Sequence, residues 1–200
     1  MKKIILAAAA GLLFGSGTLQ AEEVKIPETP TNVSVEEGLA AWDRMYEVVS
    51  HPRCSNCHVG AGDQPMWSGP SYGKTRPHGM NIRAGESRIG IETIPCATCH
   101  QGTQIAGPHT APAVDGDWRL APVEAAWFGQ SSVDICQQLR DPDRNGGLTF
   151  EEIAGHLGHD VVLQWAWNPG GGREPAPYSV EEHAADVLAW GAAGMPCPES

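Results

Sequence analysis

Basic charge, Phe and Tyr, and long apolar runs are all scarce in this chain. Thirteen Lys and Arg stand against 24 Asp and Glu in 200 residues, a formal net charge of -11. Nucleic-acid binding needs the opposite balance, so that class of function is excluded, whereas an acidic surface favours solubility and basic partners. Three Phe, three Tyr and a hydrophobic fraction of 41% leave material for a modest core. Gly and Pro together supply 40 residues, one in five, which argues against a large sheet or a long coiled coil. The apolar run Ile4–Phe14 has eleven residues, short of the ~20 that a spanning helix requires.

Seven Trp argue against disorder, and the length suits one ordinary domain or two small ones. The expectation is a mainly α fold with long irregular loops that something besides the chain must stabilise. Lys2 and Lys3, the apolar run and the small, polar stretch Gly15–Ala21 have the layout of a secretory signal. Residues 1–21 are therefore read as a signal cleaved after Ala21, 22–33 as an extended leader and 34–200 as the domain. Loss of Lys2 and Lys3 would leave 11 basic against 24 acidic residues, a net of -13. Export also means an oxidising compartment, where cysteines pair or are covalently occupied.

Four of the six cysteines fall in two copies of one pattern, Cys54-Ser55-Asn56-Cys57-His58 and Cys96-Ala97-Thr98-Cys99-His100. C-x-x-C-H is the attachment motif of c-type haem. Two thiols add across the porphyrin vinyl groups, and the next residue turns beneath the ring to ligate iron. A thiol redox pair needs no following His. A four-Cys zinc ribbon usually spaces its pairs 15–20 residues apart, whereas 38 residues separate Cys57 from Cys96. Two haem c groups are thus expected, held by Cys54, Cys57, Cys96 and Cys99, with His58 and His100 as proximal ligands.

These features resemble a dihaem c-type cytochrome of the bacterial periplasm. Two tandem class I cytochrome c domains do not fit: Cys54 and Cys96 lie 42 residues apart, and the only Met after His100 is Met195. The order of landmarks is more specifically similar to small exported dihaem proteins labelled as subunits of isoquinoline 1-oxidoreductase. The matching pieces begin with His51-Pro52-Arg53-Cys54, His78, Gln101 after the second motif, and Leu120-Ala121-Pro122. Asp141-Pro142, Asn145-Gly146-Gly147, His159-Asp160 and Trp165-Ala166-Trp167-Asn168-Pro169-Gly170 follow, then Arg173, Pro175, Pro177 and Cys197-Pro198. The match runs from Ser50 through nearly all the remaining chain. The resemblance implies a periplasmic location and electron transfer to or from a molybdenum hydroxylase, although the chain has no molybdenum or flavin machinery of its own.

Helix signals are strong at both ends. Ser34-Val35-Glu36-Glu37 reads as a capping box opening a helix that carries Val35, Leu39, Trp42, Tyr46 and Val49 and ends near His51-Pro52. Pro122 suits a first helical turn ahead of Val123–Phe128, and Ser131 or Ser132 can cap a helix through Leu139. Thr149-Phe150-Glu151-Glu152 is a second box, with a helix to about Trp165, and Ser179-Val180-Glu181-Glu182 a third, to about Ala193. Residues 59–95 and 101–121 read as loops. Cys136 and Cys197 remain and are expected to pair, closing a loop of about 60 residues; free thiols are the alternative.

Distal iron ligands come from His51, His78, His109, His156, His159 and His183, with Met66, Met80 and Met195 behind them. We favour His78, in the loop between the motifs with Met80 as its direct competitor. We also favour His156, which shares one helix face with His159 beside Ile153, Leu157 and Val161. Bis-His iron would give a comparatively low potential, since Met ligation raises it. Asp141, Asp143, Asn145, Gly147 and Glu152 fit the spacing of a twelve-residue calcium loop with Gly146 at its turn. Against one Ca2+ there, Glu152 also serves the Thr149 box, and a capped helix–turn–helix is the alternative.

The expected function is electron transfer by a carrier, not an enzyme, that docks a redox partner with a basic surface. A dihaem peroxidase or a haem-based sensor is the alternative, and it would need one iron with an open sixth position and a neighbouring acid–base group.

Overall fold

The computed structural model describes residues 24–69, 74–103, 105–107 and 110–199. The expected signal segment, residues 1–21, lies outside them, as does His109. Among the described residues there are six helices and one two-stranded sheet, in the order α1 (Val35–Val49), α2 (Pro52–Ser55), β1 (Met66–Trp67), β2 (Arg76–Pro77), α3 (Ser132–Arg140), α4 (Phe150–His159), α5 (Val161–Trp165) and α6 (Val180–Ala192). The fold is mainly α, and among the described residues no helix is long and apolar enough to cross a membrane.

All three capping boxes form. Ser34, Thr149 and Ser179 accept from the backbone N–H three residues on, while Glu37, Glu152 and Glu182 return a bond to the cap backbone. Each pair satisfies two of the N–H groups a helix start leaves without partners. Ser131, not Ser132, caps α3. Two expectations are corrected. The helix from Phe150 does not run on to Trp165: it stops at His159, and Asp160 caps a separate short helix by accepting from Val162 and Leu163 N–H. Pro122–Phe128 is a set of turns, because Trp127 and Phe128 N–H donate to the His58 carbonyl instead of to a helix of their own.

Helices α1, α3, α4 and α6 enclose the main core around Trp42, Met45, Ile135, Ala154, Val187 and Trp190. Trp42 and Trp190 lie 5.6 Å apart between ring centres, and each indole N–H is satisfied, by Ser132 Oγ and the Pro196 carbonyl. Such aromatic burial, with its polar ends paired, dominates the cohesion of a small core. Gly191 lets α4 approach α6, since a Cβ there would sit 2.0 Å from the Phe150 ring. Cys136 and Cys197 are joined at 1.97 Å, tying the C-terminal segment to α3. Ile26 of the leader packs against the same core.

The other half of the protein is loop, organised by its own hydrogen bonds. Arg88 donates to the carbonyls of Ala121, Gly60 and Val59, and Leu120 N–H donates to the Arg88 carbonyl. Val59, Ala84 and Leu120 form a second cluster there, with Cys57 and Met66 against it. A third, of Val48, Ala166 and Ala176, takes in Cys54 and Trp167.

Candidate functional site

Helix α1 delivers the chain into the first C-x-x-C-H motif, as its length and the Pro52 stop predict. His51 caps α2 by accepting from Arg53 N–H at 3.3 Å, with Pro52 in the first helical position. Cys57 and His58 N–H then both donate to the Cys54 carbonyl, at 3.1 and 3.4 Å. In the second motif Cys99 and His100 N–H donate to the Cys96 carbonyl, at 3.2 and 3.1 Å. The two motifs thus adopt the same tight turn. The side chains are placed differently: Cys54 packs against the Val48 cluster and Cys57 against the Val59 cluster, whereas Cys96 and Cys99 both border one cavity.

The β1–β2 hairpin fixes what stands opposite. Met66 pairs with Pro77 and Trp67 with Arg76. Met66 N–H donates to the carbonyl of Asn56, inside the first motif, and His78 N–H donates to the Pro65 carbonyl. The first motif, the hairpin and the second motif consequently border one cavity of about 760 Å³, with Cys57, His78, Cys96, Cys99 and His100 among its walls. That volume falls within the ~300–1,000 Å³ of small-molecule and cofactor sites. Trp118, Leu120 and Trp165 supply apolar wall.

Burial holds both motif imidazoles neutral. His58 Nδ1–H donates to the Ala125 carbonyl at 2.9 Å, which leaves Nε2 as the lone-pair nitrogen. Its ring lies flat on Trp127, 3.3 Å between centres and 6° between planes. Burial pushes the pKa of His58 down to about 4. His100 falls to about 4 as well, through burial first and then the charges of His78 and Arg173. His100 packs on Trp118 at 4.3 Å. Burial also raises Cys54 to about 12, Cys57 to about 11, and Cys96 above its usual value. Thiols held protonated at neutral pH are unlike the low-pKa thiolates of disulfide exchange.

His78 is half-buried, and its ring centre lies 6.3 Å from that of His100. A metal ion held ~2.0 Å from one nitrogen of each of two imidazoles separates their ring centres by about 6 Å. His78 Nδ1–H donates to the Gly79 carbonyl at 3.0 Å, again leaving Nε2 as the lone-pair nitrogen. Met80 also borders the cavity but is 80% exposed, at a positive φ of 60°. His156 is exposed, 3.7 Å from Asp160, and lies near enough to His58 for its charge to lower that pKa. His159 is exposed and donates from Nδ1 to the Gly155 carbonyl. His183 is buried on α6, 5.8 Å from Trp167, with no partner at Nδ1. Met195 packs on the main core, and Met66 belongs to the hairpin.

No protein-family model, curated protein or solved structure matches the chain. The site must therefore be read from its own chemistry.

The donor set suits a covalently held porphyrin. Cys96, Cys99 and the neutral His100, on one turn, border a cofactor-sized cavity, with the ring centre of a second imidazole, His78, 6.3 Å from that of His100. Three buried polar atoms without partners, Asn56 Oδ1, His100 Nδ1 and Arg173 Nη1, belong to residues that border it. The arginines were not foreseen. Arg53, Arg76, Arg119 and Arg173 line the cavity, Arg119 paired with Asp117, and no Asp or Glu stands among its described lining residues, in a chain with nearly twice as many acidic as basic residues. Arg53 and Arg173 stood among the sequence landmarks, but nothing in the local pattern brings them together.

The 141–152 connection is committed to its own backbone. Asp141 Oδ1 accepts from Asp143 N–H, Asn145 Oδ1 accepts from Leu148 N–H, and Glu152 caps Thr149. Gly146 and Gly147 take positive φ at the turn. Among the described residues no three His, Cys, Asp or Glu side chains gather as an ion site. The connection is a capped helix–turn–helix, with Glu152 engaged in the Thr149 box. Adding a calcium chelator is accordingly expected to leave the thermal midpoint unchanged, and a clear fall would restore the calcium reading.

Proposed function

We propose that the chain is an exported electron-transfer protein carrying two covalent c-type haems, exchanging electrons with a periplasmic oxidoreductase. The observation that carries this reading is the meeting of both C-x-x-C-H motifs at one cavity, the first through Asn56 and Cys57 and the second through Cys96, Cys99 and His100, with His78 at 6.3 Å from His100. Iron porphyrin, when bound, supplies a one-electron couple, and the protein supplies attachment, ligation and burial.

Cys54 and Cys57 hold one porphyrin and Cys96 and Cys99 the other. His58 and His100 ligate through Nε2, and the Ala125 carbonyl fixes the His58 tautomer. His78, beside His100, would supply the second ligand of that iron, and His156, exposed and near His58, is the candidate for the other. Trp118 and Trp165 give the cavity apolar wall. Ala97, Thr98 and Cys99 are exposed, so the second motif meets the surface, where a partner can approach. A partner with a basic face complements the net charge of -13 expected after signal removal. A molybdenum hydroxylase as that partner follows from the resemblance alone.

One observation favours the alternative of a dihaem enzyme or sensor. His156 is paired with Asp160 at 3.7 Å in solvent, an acid–base pair near His58 that an open iron could use. Carbon monoxide separates the two readings, since only an open or displaceable site binds it. Production in cells competent in cytochrome maturation is expected to give a mature chain heavier than its polypeptide by two haems. Its spectrum is expected to be six-coordinate, low-spin and indifferent to carbon monoxide. A gain of one haem or none overturns the proposal.

A further inference from the structure

Two arginines that border the cavity, Arg53 and Arg173, have no carboxylate within ion-pair distance among the described residues. Arg173 is 7% exposed; its Nη2 donates to the Thr110 carbonyl, and its Nη1 is buried without a partner. Arg53 donates from Nε to the Glu174 carbonyl at 2.8 Å and from Nη1 to the Ser68 carbonyl at 3.3 Å. Its guanidinium carbon lies 5.5 Å from the centre of the Trp165 ring. Carbonyls satisfy N–H groups but do not neutralise a charge. Among the described residues the carboxylate–guanidinium pairs are Arg44–Asp186, Arg83–Asp63 and Arg119–Asp117, and neither Arg53 nor Arg173 has a carboxylate within ion-pair distance. The two guanidiniums repel one another across the site, and Glu174 acts on Arg53 only at longer range.

Burying the Arg173 charge without a counter-ion is costly, and the half-buried Arg53 beside it adds to that cost. A fold keeps such a pair where an anion completes it. The fork of a guanidinium matches a carboxylate in particular. The backbone is shaped around this group: Gly171, at a φ of +59°, leaves Nη1 its space, since a Cβ there would lie 2.7 Å from that atom and 2.6 Å from the Gly107 carbonyl oxygen.

We propose that Arg173, with Arg53 beside it, is the receptor for the carboxylates of the porphyrin attached at Cys96 and Cys99. The assignment rests on the haem reading above. Arg173 also lies close enough to His100 for its charge to act on that ring. A cation so placed stabilises the reduced state of the iron, because reduction adds a negative charge nearby.

The test is a redox titration of the purified holoprotein, with intact mass checked in every sample. Arg173→Gln is expected to keep both haems and to lower the midpoint potential of one by about 59 mV or more, a tenfold change in its one-electron equilibrium. Arg173→Lys, which keeps the charge but not the fork, is expected to fall between Gln and wild type. Two unchanged potentials in an Arg173→Gln protein with two haems overturn the proposal and leave the haem reading standing. If that variant does not fold, Gly171→Ala, which displaces Nη1, is expected to lower the same potential, and no change again overturns it. Wild-type potentials that move on addition of inorganic phosphate put a free anion on the arginines and overturn it too. Wild-type protein without haem by mass removes both readings together.

Discussion

In a chain carrying the two haems proposed above, alanine at His78 is expected to convert one of them from six-coordinate low-spin to high-spin and to open it to carbon monoxide. The second haem should be untouched. The prediction follows from where the hairpin holds the ring: His78 N–H donates to the Pro65 carbonyl at 2.9 Å, and Nδ1–H to the Gly79 carbonyl at 3.0 Å. With both bonds made, Nε2 is the nitrogen available to a metal shared with His100. Met80 is two residues away on the same cavity, yet 80% exposed. Met80→Ala is therefore expected to leave the visible spectrum as it was, whereas a sulfur ligand would make Met80, not His78, the sensitive position. His156→Ala is expected to affect the other haem. An unchanged spectrum would strike His156 from the ligand set and leave that iron to the enzyme or sensor reading. The redox consequence has a sign: with His in place of Met at the sixth position, potentials are lower.

Replacing Cys197 with Ser is expected to lower the unfolding free energy by roughly 4 kcal/mol, through a loop closed over a sequence separation of 61 residues. For a domain of this size that corresponds to a fall of roughly 8–16 °C in Tm. Cys136 is fully buried in the main core, and the segment it anchors also accepts a hydrogen bond from the Trp190 indole at the Pro196 carbonyl. The bond thus holds the C-terminal segment across the end of α6. Chemical denaturation of wild type and variant measures the loss. A difference below about 1 kcal/mol would mean that packing around Trp190 holds this segment without the bond. The visible spectrum should be the same in both proteins, because neither cysteine borders the cavity.

Signals that act within one turn were legible in advance. Ser34 with Glu37, Thr149 with Glu152 and Ser179 with Glu182 each close a box over three residues, so their helices start where the sequence places them. Helix ends were less legible. Asp160 reads equally well as the interior of a long helix or as the cap of a new one, and Val162 and Leu163 N–H decide it. Pro122 would open a helix in isolation. Here the His58 carbonyl takes the N–H groups of Trp127 and Phe128, a contact about 70 residues away that no local pattern announces.

The sequence by itself determined the starts of the main helices, the pairing of Cys136 with Cys197, and the turn in each C-x-x-C-H motif that sets two thiols beside an imidazole. All of these rest on spacing within a few residues or on the count of cysteines left over. Only the tertiary structure brings His78 near His100 and sets Arg53 and Arg173 on one cavity with no Asp or Glu among its described lining residues. It also decided that the acceptor for His58 Nδ1 is the Ala125 carbonyl. Those pairings join segments tens of residues apart through Gly- and Pro-rich loops, whose paths are set by hydrogen bonds such as those of Arg88 and not by any periodicity.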